Sequence, residues 1–267
     1  YHSDVIEAFS SIEKHGIKIT DDVCDVFDER VRKHISNGKL YSQYNLWTST
    51  GRPSNSFGSV NFAALPPEKR SVFIPQNDTL VEYDFDAYHL RLIGELVDYK
   101  FDDESVHQHL ADFYGSTYEE SKQISFKLLY GGITEEIRKK VPFFDKVQDF
   151  INLKWSEFND RNYILTDIYN RKITKSNNDS MNKNKLFNYL IQSLETEKNI
   201  TKILKLKEYL EDKQTNLILY GYDSFLFDFS KNDGVNTLSE VKTILEEGNY
   251  LTKIKMGYTY SKLDNIT

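Results

Sequence analysis

The sequence predicts an α+β fold, a sheet backed by helices, and three observations carry that expectation. Short apolar runs bounded by turn residues, Leu80–Phe85 and the pair Leu217–Gly221 and Phe225–Phe229, have the length and flanks of strands. Other segments space their apolar residues three and four apart, as one face of a helix requires. No clear repeat and no long Pro/Gly linker divides the chain, so one compact unit is expected.

The elements follow in order. Residues 4–18 place Val5, Ile6, Phe9, Ile12 and Ile17 near helical spacing and Gly16 stops the pattern, which fits a helix followed by a short strand. From Tyr41 to Pro67 the composition turns to Ser, Thr, Asn, Gly and Pro and reads as loop and turn. Ser71–Ile74 and Leu80–Phe85 read as two short strands joined across Pro75–Thr79. Residues 104–114 and 117–130 read as helices, the second the more regular. The Asn- and Lys-rich stretch Lys172–Lys185 reads as an exposed loop, and Lys185–Leu210 as one or two long helices. Leu217–Phe229 has the pattern of a β-hairpin with an acidic tip at Tyr222-Asp223-Ser224. A helix near Ser239–Glu247 and a strand near Thr252–Gly257 complete the chain.

With 267 residues, 39% hydrophobic and 28% charged, the chain can bury a substantial core, which excludes a peptide, a fibre and a mostly disordered protein. The single cysteine, Cys24, excludes an intrachain disulfide and a cysteine-based zinc cluster and fits a reducing compartment. No apolar run approaches the roughly 18 residues of a membrane span, and the N-terminus lacks a basic stretch followed by an apolar one. A soluble, cytoplasmic protein with no membrane partner is expected. A chain that opens at Tyr1 rather than methionine reads as part of a longer product. The net charge of -7 argues against a general nucleic-acid binder. The average hides a dipole, because Ser121–Leu210 carries 17 Lys+Arg against 11 Asp+Glu and leaves the remainder at -13. That stretch could face phosphates, or Arg138, Lys139 and Lys140 could form an ordinary solvated helix face.

Three features carry chemistry. In Leu80-Val81-Glu82-Tyr83-Asp84-Phe85-Asp86 an apolar strand runs into a carboxylate, and Asp84 is placed to supply one of the few oxygens that Mg²⁺ takes from protein. An Asp after a strand is also a common turn or helix cap. Asp223 puts a second carboxylate at the tip of a second strand pair, where it could share a two-metal site with Asp84 or be a plain turn residue. Tyr118, Lys122, Phe126 and Tyr130 recur every fourth residue and so stack along one helix face, which Gly131-Gly132 ends. A cation and aromatic rings on one stripe suit a nucleoside triphosphate; the alternative is an aromatic core stripe with a snorkelling lysine. His107 and His109, two residues apart, do not share a helical face, so a zinc pair is not expected.

In this order the three features resemble the palm and fingers of family A DNA polymerases, the bacterial polymerase I and phage replicative group. Thr48-Ser49-Thr50-Gly51-Arg52-Pro53-Ser54 looks like the T-x-T-G-R-x-S segment, followed by Asn61 and Pro66 in the N-L-Q-N-I-P position. Tyr83-Asp84-Phe85 through Leu90-Arg91 resembles motif A, and Ser105-Val106-His107 the D-I-H after it. Tyr118 through Gly131 resembles motif B, R-x-x-x-K-x-x-x-F-G-x-x-Y-G, and Asn188-Tyr189-Leu190-Ile191-Gln192 the N-x-x-x-Q helix. Leu219-Tyr220-Gly221-Tyr222-Asp223-Ser224 falls where motif C should be, and Lys253-Ile254-Lys255-Met256-Gly257 resembles the closing strand.

The resemblance implies a compact right-hand fold with an antiparallel-sheet palm and helical fingers. Residues 1–40 would be an N-terminal helix and thumb-side remnant, 41–103 the first part of the palm, 104–184 the fingers and 185–267 the second part of the palm. It implies template-directed addition of deoxynucleotides to a primer 3′ end. Asp84 and Asp223 would hold two Mg²⁺, with Mn²⁺ as a substitute. Lys122 would sit on the triphosphate, and Phe126, Tyr130, His89 and Tyr118 would shape the nucleotide site. Arg52, Asn61, Arg91, Asn188, Gln192 and Tyr222 would meet primer-template DNA. A processivity factor or an upstream thumb or exonuclease part would be the other partners.

The departures are as specific. Tyr118 stands for the Arg that opens motif B, His89 for a Glu that helps exclude a ribose 2′-hydroxyl, and Tyr222 and Ser224 for the His and Glu of motif C. Between Gly16-Ile17-Lys18-Ile19 and Tyr41 there are about two dozen residues, too few for a helical thumb at ~1.5 Å of rise each. A polymerase-like module that binds DNA or a partner without catalysis stays open on these grounds. Asp84-Phe85-Asp86 is also a D-x-D, which leaves a metal-dependent glycosyltransferase as a remote alternative.

Overall fold

The structure, a computed structural model, describes residues 1–55, 59–101, 105–175 and 180–266. Glu104, expected to begin a helix, and residues 176–179 of the expected loop lie outside the described residues. In chain order, α1 (His2–Glu13) precedes β1 (Ile17–Ile19), β2 (Ile35–Ser36), β3 (Lys39–Leu40), β4 (Tyr44–Asn45), β5 (Ser54–Asn55), β6 (Phe73–Ile74) and β7 (Thr79–Phe85). Then come α2 (Tyr88–Leu96), α3 (Val106–Tyr114), α4 (Tyr118–Gly131), α5 (Glu135–Lys140), α6 (Pro142–Arg161), β8 (Tyr163–Leu165) and β9 (Lys172–Thr174). The chain closes with α7 (Lys183–Tyr209), β10 (Asn216–Tyr220), β11 (Ser224–Phe229), α8 (Asn236–Glu246), β12 (Thr252–Thr259) and β13 (Lys262–Asn265). These form two compact units in place of the one expected, Tyr1–Asp86 with Lys198–Thr267, and Ala87–Glu197. No Pro/Gly linker marks the division because the chain crosses it just after β7 and again inside α7.

The first unit is built on an antiparallel sheet of order β10-β11-β7-β12-β13. Side chains alternate across β7, so Val81, Tyr83 and Phe85 share one face with Phe225 and Phe227 of β11. All five are buried, with Tyr83 edge-on to Phe227 at 5.5 Å and Phe85 to Phe225 at 5.9 Å. Burying each such side chain contributes ~1.5–3 kcal/mol. The Tyr83 hydroxyl donates to the Leu238 carbonyl of α8 at 2.8 Å, which fixes that helix over the apolar face. Lys202, from the part of α7 in this unit, donates to the Leu245 and Glu247 carbonyls at 2.6 and 2.9 Å and satisfies the C-terminal end of α8. The opposite face of β7 carries Glu82 and Asp84, opposite Ser224 of β11 and Lys253 and Lys255 of β12. The polar face is therefore set by register alone.

Strands β6 and β7 do not pair. β6 closes a four-stranded sheet of order β2-β3-β1-β6, and the connection is drawn away by Asp228, whose carboxylate accepts from the Gln76 and Asn77 amides at 3.2 and 3.0 Å. The second unit is mainly helical, with Leu110, Leu128, Val141, Phe143, Phe144 and Phe187 in one buried core. Sequence periodicity does not single out α6, which Pro142 opens at its first turn, where a missing N–H has no consequence. The expected loop at Lys172–Lys185 begins with β9, paired to β8 through Ile164 and Ile173. The turn between them is fixed by buried Glu197, which accepts from the Ile168 and Tyr169 amides at 3.1 Å and from Arg171 at 2.8 Å. Lys183–Tyr209 is a single helix. Among the described residues no helix is long and apolar enough to cross a membrane.

Candidate active site

The polar face of the first unit's sheet opens on a cavity of about 320 Å³ that both Asp84 and Asp223 line. Asp84 is the penultimate residue of β7, and its side chain is one-third exposed. Asp223 lies in the β10–β11 turn, where its carbonyl accepts from the Phe85 amide at 2.8 Å and ties the turn to the end of β7. The turn is tight. An added Cβ on Gly221 would lie 2.5 Å from the Ser224 Oγ, so only glycine fits without movement. Tyr222 takes a left-handed φ of 72°, unusual for an aromatic residue. Its ring lies under the Arg52 guanidinium at 3.8 Å, and its carbonyl accepts from Asn199 at 2.9 Å. Asn61 precedes the turn Phe62–Ala64, whose Phe62 and Ala63 line the same cavity.

Two residues to which the sequence reading gives no role, Lys255 and Glu82, complete this cleft. The Lys255 ammonium donates to Asp84 Oδ2 at 3.0 Å and to Glu82 Oε2 at 3.4 Å. Burial works against its charge, but the hydrogen bond to Asp84 and the charges of Asp84 and Glu82 outweigh it and hold the pKa above the ordinary lysine value. Burial pushes the Glu82 carboxyl up, and the Lys255 charge partly offsets this. A signal existed in the sequence: carboxylates two apart at 82 and 84 and lysines two apart at 253 and 255 each fall on one side of a strand. Among the described residues no three His, Cys, Asp or Glu side chains converge on one point. Magnesium is compatible with that, because it is held by one or two carboxylates plus substrate phosphates and water. The donor set fits on a second count, since a cation, the Lys255 ammonium, already stands against Asp84.

The second unit carries the helical stripe. The buried residues of α4 are Ser121, Ser125, Leu128 and Leu129, so Tyr118, Lys122 and Phe126 do not form a core stripe, while Tyr130 is half-buried and packs against the core. Phe126 is 66% exposed, and its ring lies tilted against that of Tyr130 with centroids 4.5 Å apart. The Lys122 ammonium lies 4.3 Å over the Tyr118 ring and 3.1 Å from Glu119. Thr117 and Glu120 form a capping box at the helix start, and Gly132, at φ 109°, ends it. The Tyr130 hydroxyl is 2.6 Å from His89 Nδ1 on α2, and His89 Nε2 is 3.1 Å from the buried carboxylate of Glu195 on α7. Glu195 carries no family motif in sequence, and only the fold shows its place. Asn188 and Gln192 lie one turn apart on α7 and Arg91 on α2, all half-buried. The first unit thus brings together Asp84, Asp223, Tyr222 and Arg52, and the second Lys122, Phe126, Tyr130, Tyr118 and His89.

The chain thus combines antiparallel sheets with a mainly helical unit, and Asp84 and Asp223 lie at strand ends. Among solved structures the chain is similar to the POL domain of Pol1 from M. smegmatis, in complex with DNA primer-template and dNTP, with a TM-score of 0.72 at 17% sequence identity. The match covers 85% of this chain and 49% of that chain, so this chain spans about half the length of the polymerase it matches. The likeness is one of fold. No family model matches the chain and no curated protein matches it in sequence.

Proposed function

We propose that this chain is the polymerising part of a family A-like DNA polymerase, extending a primer 3′ end with deoxynucleotides under direction of a template. The single observation that carries the reading is the meeting of Asp84 and Asp223 on one cavity from strands remote in sequence. In this reading residues 41–103 and 185–267 are palm, 104–184 fingers and 1–40 the thumb-side remnant of a right-hand fold. Primer-template DNA and deoxynucleoside triphosphates are the partners, joined by a processivity factor or by an upstream thumb or exonuclease part.

In the reaction the primer 3′-hydroxyl gives its proton to solvent, its oxygen bonds to the α-phosphorus, the bond from that phosphorus to the bridging oxygen breaks, and pyrophosphate leaves. Asp84 and Asp223 would hold two Mg²⁺, or Mn²⁺, which when bound supply Lewis-acid activation and counter-charge. Lys122 neutralises triphosphate oxygens and donates a proton to the leaving group. Phe126 and Tyr130 give the base and sugar a stacking surface, with His89 behind Tyr130 and Tyr118 beneath the Lys122 ammonium. Arg52, Tyr222, Asn61, Arg91, Asn188 and Gln192 meet the DNA, some in the minor groove, where acceptor positions are alike for all base pairs.

The test is extension of a labelled primer on a DNA template with Mg²⁺, comparing deoxynucleotides with ribonucleotides and wild type with Asp84→Asn. Template-directed extension that vanishes in the variant supports the reading. A folded protein that binds DNA and extends nothing would overturn it in favour of a non-catalytic module.

A further inference from the structure

Lys255 is a cation in direct contact with a carboxylate that lines the cleft. It reaches Asp84 from β12, where register sets it directly opposite Glu82, and its ammonium lies between the two carboxylates at 3.0 and 3.4 Å. A hard divalent ion would take its protein ligands from carboxylate oxygens, and an ammonium hydrogen-bonded to Asp84 would compete with it for that carboxylate. Lysine carries its charge on a flexible four-carbon stem, so the ammonium can leave one acceptor without leaving the site. Glu82 supplies the other acceptor, only 8% exposed and on the same side of the same strand.

We propose that Lys255 is a built-in counter-cation that competes with the divalent ion for Asp84 and yields to it by moving wholly onto Glu82. The inference rests on the metal reading of Asp84 given above. It assigns Glu82 a positioning role, as the acceptor that retains Lys255 when metal arrives. The device keeps the empty cleft close to charge balance, and it sets the ion concentration at which the cleft fills.

The test is binding of Mn²⁺ alone to the intact chain, followed by electron paramagnetic resonance of the free ion, with no nucleotide and no turnover. K255M is expected to bind at least fivefold more tightly than wild type, and D84N at least fivefold more weakly. K253M removes a lysine whose ammonium pairs with Asp86 at 2.6 Å, so it should tighten binding less than K255M does, and equal tightening in both would overturn the specific role of Lys255. K255R, which keeps a cation in place, should not tighten binding. Where K255M leaves Glu82 without its lysine and fails to fold, E82Q/K255M compared with E82Q reads the same competition. Unchanged affinity in K255M with loss in D84N would overturn the counter-cation and leave the metal site standing. Binding indifferent to D84N would overturn the metal reading, and the counter-cation with it.

Discussion

The two units hold their chemistry in opposite ways. In the first, Asp84, Asp223 and Lys255 meet because β7 pairs with β11 on one side and β12 on the other, so each is positioned by residues far away in sequence. In the second, Tyr118, Lys122, Phe126 and Tyr130 are neighbours because a single helix repeats every 3.6 residues. A site set by strand register is sensitive to small backbone changes, since displacement of one turn moves a functional atom. A stripe on a helix tolerates exchange of its side chains one at a time. This difference can be broken or sharpened by experiment.

The largest effect is expected from the carboxylates. Asp223→Asn, like Asp84→Asn, should lower primer extension by about 10³-fold or more while leaving the melting temperature close to wild type, because each removes charge facing a cavity and no core packing. Residual synthesis within tenfold of wild type would remove Asp223 from the site. Next comes the turn itself. Gly221→Ala should cost about 0.5–1.5 kcal/mol in a denaturant titration and reduce extension, because the new methyl meets Ser224 Oγ at 2.5 Å and forces that hydroxyl into another rotamer. The same change in a Ser224→Ala background should be nearly neutral, and equal costs in both would mean that the turn is held by something else.

On the helix the balance reverses. Phe126→Ala should leave stability within about 0.5 kcal/mol, since the ring is 66% exposed, yet raise KM for the nucleotide about tenfold through lost stacking. Leu128→Ala, two residues along but buried, should cost about 2–5 kcal/mol. Glu195→Gln removes the charge 3.1 Å behind His89 and should shift the ratio of deoxynucleotide to ribonucleotide use by about fivefold, near 1 kcal/mol. A ratio that does not move would detach His89 from sugar choice.

The same contrast explains what could be read in the sequence. The stripe and its glycine stop were legible because helical spacing is local, and so was the Leu217–Phe229 hairpin, whose two apolar runs flank their own turn. Asp84 and Asp223 could be named, but the pairing that joins them could not, since register between strands with the whole second unit between them leaves no local trace. For the same reason nothing local shows that β6 and β7, two strands joined across Pro75–Thr79, lie in different sheets, with Asp228 holding the connection. Lys255 and Glu82 left a faint signal in their period-two charges, and Glu195 left none.

The smallest expected effect separates the sheet unit's scaffold from its site. His15 lies just after α1, where burial first, then the charges of Lys14 and Lys39, lower its pKa to about 4 from 6.5. The unfolded chain therefore binds the proton more readily than the folded one between those values, and stability falls as pH is lowered from 6.5 to about 4. His15→Gln should abolish that component: its melting temperature, compared with wild type, should run parallel above pH 6.5 and gain on it steadily below. Mn²⁺ affinity at neutral pH should not change, because His15 does not line the carboxylate cavity. A wild type whose melting curve keeps the same pH slope after the substitution would place the acid sensitivity elsewhere, with buried Asp228, whose raised pKa acts in the opposite direction, excluded as its source.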